Sequence, residues 1–258
     1  MPPGRPGPRR RVITVSARTR AVVVAAVLLL SGCGVGGGTW PAVQERDFPP
    51  APDQPVPRPS GERADADADV VPVADLADPA WVRDVSERTE IPERVLAGYA
   101  GASLRLAELE PECGIGWNTL AGIGAVESLH GSYLGAGVGA DGTVSPPIIG
   151  VPLDGSEGVM EIVDTDDGEL DGDTEWDRAV GPMQFIPTTW ESYAQDGNLD
   201  GRADPHQIDD AALTAGLYLC RRGGDVTTDD GWAAALASYN RSVSYAHEVA
   251  DLAESYGA

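Results

Sequence analysis

The sequence predicts a mainly α-helical domain filling about its last 180 residues. Three observations carry that reading. From residue 91 onward, apolar residues recur at three- and four-residue steps in run after run, the spacing of one helix face. Before residue 79 no such period survives. Between the runs lies one long stretch rich in Gly, Pro and acid, with room only for short strands.

Residues 1–33 read as an export signal. Arg9, Arg10, Arg11, Arg18 and Arg20 precede the apolar run Ala21–Leu30, which is too short for a permanent membrane span. Leu30-Ser31-Gly32-Cys33 closes it. Residues 34–78 change composition: prolines at 41, 49, 50, 52, 55, 57 and 59 and the Ala/Asp alternation of 64–69 predict a disordered tether. The folded domain is expected over 79–258, enough chain for one core.

Within it, Ile91-Pro92 opens a helix in which Val95, Leu96, Tyr99, Ser103 and Leu106 share a face, and Pro111 ends it. A second helix begins near Trp117. On that helix the neighbours of Glu127 are Leu120, Ile123, Gly124 and His130, so its carboxyl is expected on the inward face. A buried carboxyl needs either a partner or a use for a raised pKa.

Gly131–Val180 is the long irregular stretch, with short strands expected at 147–151 and 159–163, and it reads as a loop bordering a cleft. Gly181-Pro-Met-Gln184-Phe-Ile-Pro187 is an apolar turn with one amide in its middle. Gln184 there can satisfy the turn's own backbone or face a ligand. Thr188-x-x-Glu191 fits a capping box for a helix over 189–195.

Asp196, Asn198 and Asp200 followed by Gly201 match positions 1, 3, 5 and 6 of an EF-hand loop. Gln207 stands where a bidentate Glu belongs, so a longer loop closed by Asp210 is expected. A helix over 210–221, an Ala-rich helix over 232–239 ending in Tyr239-Asn240, and a last helix over 245–256 complete the chain.

The formal net charge is −23, all 18 basic residues are Arg, and six of them lie in the first 32 residues, which hold no acid. The remainder is therefore strongly acidic, which excludes nucleic acid as a partner and favours cations.

The stretches 91–99, 120–131 (LAGIGAVESLHG), 179–190 (AVGPMQFIPTTW), the acid loop 196–210 and Ser238-Tyr239-Asn240 together resemble the B-type membrane-bound lytic murein transglycosylases. Leu30–Cys33 resembles a bacterial lipobox. The resemblance implies a lysozyme-like helical domain with an EF-hand-like calcium loop, and lipidation of Cys33 after signal cleavage. With Cys33 so used, Cys113 and Cys220 remain as a pair suited to a disulfide in an oxidising compartment.

It further implies Glu127 as the single catalytic acid/base, and Gln184, Tyr239, Asn240 and Tyr99 lining a glycan cleft. Asp196, Asn198, Asp200, the Arg202 carbonyl and Asp210 would be ligands of a structural Ca2+, with no cofactor needed for chemistry. The implied substrate is the peptidoglycan glycan strand. It would be cleaved without water between N-acetylmuramic acid and N-acetylglucosamine, in the cell envelope, by a lipid-anchored protein. Monomer is the default expectation. Two alternatives stay open: a lysozyme-type hydrolase with a second carboxylate such as Asp177, and a glycan-binding lipoprotein without catalysis.

Overall fold

The computed structural model describes residues 47–61, 71–156 and 158–258. The expected signal segment, Cys33 and the first part of the expected tether lie outside the described residues. Among the described residues seven α-helices carry the domain: α1 (Pro79–Thr89), α2 (Glu93–Leu109), α3 (Trp117–Ser128), α4 (Pro187–Tyr193), α5 (Ile208–Gly223), α6 (Asp229–Tyr239) and α7 (Val243–Gly257). Between α3 and α4 run two antiparallel pairs, β1 (Gly137–Val138) with β2 (Val144–Ser145), and β3 (Ile149–Pro152) with β4 (Arg178–Val180). The fold is mainly α with few short strands, as the spacing of apolar residues required.

Helix α3 lies chiefly against α7, while α2 packs on α5 and α5 on α6. Its residues are apolar or small on nearly every side, which suits a helix enclosed by others. Two glycines set how close those neighbours come. A Cβ on Gly122 would meet the Val249 carbonyl oxygen at 2.8 Å, and one on Gly124 would meet the Tyr99 hydroxyl at 1.9 Å. Gly122 thus admits α7, and Gly124 admits Tyr99 of α2. The disulfide Cys113–Cys220 joins the approach to α3 with α5.

The segment read as a disordered tether is partly built into the domain. Over 47–61 and 71–78 it wraps the helices, with Phe48, Val73, Leu76 and Ala77 buried in the core. Gln54 Oε1 accepts from the Gly116 backbone N–H (2.7 Å) and the Thr119 hydroxyl (2.9 Å), capping the start of α3. Asn118 Nδ2 donates to the Asp53 carbonyl, and Ser60 N and Asp78 N pair with Leu76 and Arg58. Proline prevents helix there, but extended chain can still pack and accept hydrogen bonds.

Helix α1 has no counterpart in the sequence expectation. Its start has a clear cause: Asp78 Oδ1 accepts from Trp81 N, and Pro79 stands first in the helix. Helix α4 begins at Pro187, two residues earlier than expected, and the Thr188–Glu191 capping box does not form. Thr188 Oγ1 is buried without a hydrogen-bond partner. The rigid φ of proline determines that start. Gln207, the weak closer of a short calcium loop, is instead the N-cap of α5, its Oε1 accepting from Asp209 N and Asp210 N.

Candidate active site

Glu127 lies in the last turn of α3, and its side chain is 5 % exposed. One hydrogen bond reaches it among the described residues: the Tyr245 hydroxyl of α7 donates to Oε1 at 2.7 Å. Burial raises its pKa to about 7, and the Tyr245 hydrogen bond acts in the opposite sense. The carboxyl is therefore protonated up to neutrality, with Oε2 left unbonded. Tyr245 was not singled out from the sequence. The sequence marks it only as the start of the last helix, and its pairing with Glu127 spans 118 residues.

Helix α3 ends in three successive left-handed residues, Leu129 (φ 53°), His130 (φ 58°) and Gly131 (φ 77°). Leu129 N donates to the Ala125 carbonyl, and His130 N reaches back to the Gly124 carbonyl. The turn sends Ser128 and His130 inward. Ser128 Oγ donates to the Pro182 carbonyl at 2.6 Å and accepts from Gly131 N at 2.8 Å. That bond fastens the helix carrying Glu127 to the Gly181–Gln184 turn.

The turn itself is a tight connection between Val180 and Phe185, whose backbones pair in both directions. Gly181 (φ 77°) sits so close to the acid loop that a Cβ would lie 1.8 Å from the Pro205 carbonyl oxygen. Gln184 (φ 49°) donates from Nε2 to the Gly181 carbonyl at 2.9 Å. Its amide N–H₂ thus serves the turn, and its Oε1 points toward Gly150 of β3. Tyr239 donates to the Met183 carbonyl at 2.7 Å, so the turn is pinned from α3 and from α6. Burial, with the Glu127 carboxyl nearby, raises the Tyr239 pKa well above its usual range. Asn240 is buried, and its Oδ1 accepts from Ser242 N, organising the step into α7.

Glu127, Tyr239 and Tyr245 thus meet, with Gln184 and Asn240 on the segments adjoining them. Tyr99 belongs to a different set. It is fully buried, and its hydroxyl faces His130 Nδ1 at 3.4 Å while His130 Nε2 faces the Tyr256 hydroxyl at 3.2 Å. Burial lowers the His130 pKa to about 4, so the bridging imidazole is neutral. Tyr99, like Gln184, Tyr239 and Asn240, presents almost no surface here on which a sugar could lie. Two cavities, of about 730 Å³ beside α1 and α2 and about 480 Å³ beside β3, are lined by other residues.

The acid loop begins as an EF-hand does. Asp196 accepts from Asp200 N and Gly201 N, Asn198 Oδ1 accepts from Asp200 N, and Gly201 takes φ 94°. Asp210 closes it: Oδ1 accepts from Gly197 N and Asn198 N, and Oδ2 from Asp204 N. Asp210 is fully buried, and burial raises its pKa to about 7 against those three amide bonds. The all-oxygen set at 196, 198 and 200 suits a hard cation such as Ca2+. Asp210 is turned to loop amides. Among the described residues, three carboxylates whose oxygens come within 4.8 Å of one another are Asp164, Asp166 and Asp177, outside this loop. Asp177 is 0 % exposed and is held by the Thr165 backbone N–H and hydroxyl.

Among the described residues no helix is long and apolar enough to cross a membrane. Residues 157–233 match the family model of the transglycosylase SLT domain. The matched stretch holds Gln184 and the acid loop, while Glu127 precedes it and Tyr239-Asn240 follow it. No curated protein and no solved structure matches the chain. The family match supports a domain of the lytic transglycosylase type, acting on peptidoglycan.

Proposed function

We propose that this chain is a lytic transglycosylase that cleaves the β-1,4 bond after N-acetylmuramic acid and leaves 1,6-anhydro-muramic acid ends. The observation that carries the reading is Glu127, a buried carboxyl with a single phenolic hydrogen bond and a pKa near 7.

Protonated, Glu127 donates its proton to the glycosidic oxygen as the C1–O bond breaks. The muramyl C6 hydroxyl then closes on C1, and the ionised Glu127 takes the hydroxyl proton back. One carboxyl can do both jobs because its pKa lies close to working pH. Tyr245 holds Oε1, leaving Oε2 for the transfer. Ser128 and Tyr239 hold the Gly181–Gln184 turn rigid beside it, and Gln184 offers its Oε1 as an acceptor for a sugar N–H or O–H. Because Glu127 is only 5 % exposed, the glycan gains access through side-chain movement at the site.

The hydrolytic alternative needs a second carboxylate in the cleft. Asp177 is a poor one, being fully buried and bound to Thr165. In the same reading Asp196, Asn198, Asp200 and the Arg202 carbonyl hold a structural Ca2+ that charges no step of the reaction. The chain is exported and anchored through lipidated Cys33, facing the cell wall.

Mass spectrometry of fragments released from purified peptidoglycan tests the reaction. Anhydro-muramic ends are expected. Fragments one water heavier would mean a hydrolase, and no release would leave a glycan-binding protein.

A further inference from the structure

Tyr99, His130 and Tyr256 form a polar array that the chemistry at Glu127 leaves unused. His130 follows Glu127 by three residues, and its left-handed backbone (φ 58°) turns the imidazole back between α2 and α7. Nδ1 lies 3.4 Å from the Tyr99 hydroxyl and Nε2 3.2 Å from the Tyr256 hydroxyl, with both pairs of rings 5.9 Å apart. A neutral imidazole has one donor and one acceptor nitrogen. Whichever carries the proton, one phenol donates and the other accepts, so both contacts are satisfied at once.

Helix α7 connects this array with the candidate acid. Tyr245 and Tyr256 are 11 residues apart, which at 100° per residue is three turns and about 20°. They therefore stand on one face of α7, near its two ends. Between them Val249 and Ala253 face α3: the Val249 carbonyl closes on Gly122, and the Ala253 carbonyl accepts from Asn118 Nδ2 at 3.0 Å. At one end of that face Tyr245 donates to Glu127 Oε1, and at the other Tyr256 meets His130. Turning α7 about its axis, or sliding it along α3, would break both pairs together.

We propose that His130 is a positioning residue: held by Tyr99, it binds Tyr256 and keeps α7 in the register that sets the Tyr245 hydroxyl on Glu127. Its part in the reaction rests on the transglycosylase reading of the site. Besides His130, the titratable groups around Glu127 are Tyr245, with Glu248 near it on α7, Tyr239 of α6 and, beyond Tyr239, Tyr99 of α2. Burial keeps the three phenols neutral. The Tyr245 hydrogen bond is what opposes the effect of burial on Glu127, so a loosened α7 raises the Glu127 pKa.

The test follows the Glu127 carboxyl by ¹³C NMR against pH, with Glu127→Gln identifying its signal. Tyr256→Phe removes one hydroxyl from a half-buried ring, and His130→Phe removes both hydrogen bonds of the imidazole. Each is expected to move the Glu127 midpoint upward, as Tyr245→Phe does. Combined with Tyr245→Phe, neither is expected to move it further. His130→Gln keeps one donor and one acceptor and is expected to bring the midpoint back toward wild type.

A lower Tm with an unmoved midpoint would reduce the array to packing and overturn the proposal. So would a further rise in the Tyr245→Phe background, because the array would then act on Glu127 by another route. The titration needs no catalysis, so the two readings separate. Midpoints that move as expected in a chain releasing no glycan fragments would uphold the positioning and end the transglycosylase reading.

Discussion

Glu127 and Asp210 are two buried carboxyls with the same displaced pKa, about 7, and opposite surroundings. Asp210 accepts three backbone N–H bonds, from Gly197, Asn198 and Asp204, and both its oxygens are committed to the acid loop. Glu127 accepts one phenolic hydrogen bond at Oε1, with Oε2 free. A raised pKa therefore does not by itself mark a catalytic acid. What separates the two is the number of donors the fold assigns to each. A carboxyl surrounded by amides organises a loop, and one left partly unbonded can move a proton.

The sharpest way to break this comparison is to remove each carboxyl in turn. Glu127→Gln keeps the shape and is expected to lower fragment release by at least about a thousandfold, with circular dichroism unchanged. Asp210→Ala is expected to act on folding instead. It strands three loop amides and should cost about 3 kcal/mol in chemical denaturation. Turnover of the fraction still folded should stay within a few-fold of wild type. If the two phenotypes were exchanged, the donor argument would be wrong.

Next in size is the linkage between pH and stability. Glu127 holds its proton in the folded chain up to about pH 7 and releases it near 4.5 when unfolded. Between those values the folded state binds more protons, so stability falls as pH rises through the window. Above neutrality the ionised carboxylate should cost up to roughly 3 kcal/mol. Glu127→Gln lacks that term, so urea titrations should show the variant gaining on wild type from acid to neutral pH. Parallel curves would mean that Glu127 titrates normally.

Helices α2 and α3 were legible in the sequence because their apolar residues keep a single period, and the inward position of Glu127 followed from the same spacing. The pairing of Cys113 with Cys220 was expected only through the lipobox resemblance, which assigns Cys33 to lipidation and leaves two cysteines, and the disulfide joins those two. The Gly181–Gln184 turn was legible as a turn, although its role in satisfying its own backbone was one of two options. Tyr245 was not legible, because its contact with Glu127 joins α3 to α7 and no local pattern encodes it. Nor was the wrapping of 47–61. Proline and charge there describe a chain that does not form helices, and say nothing of Gln54 reaching the start of α3. At Thr188, two local signals competed, and the fixed φ of Pro187 won over the capping box.

The smallest effect expected concerns Tyr245. Its hydroxyl lowers the Glu127 pKa, so Tyr245→Phe should raise it and move the alkaline limb of the activity profile upward. A fall in rate with an unmoved profile would reduce Tyr245 to packing.

The most direct measurement is the titration of Glu127 itself. Glutamate side-chain carboxyls labelled with ¹³C, followed by NMR against pH in wild type and Glu127→Gln, identify its signal by difference. A signal that disappears in the variant and titrates near 7 is the expected result. A Glu127 that titrates near 4.5 would be ionised at working pH, unable to donate to the glycosidic oxygen, and the single-carboxyl mechanism would be contradicted.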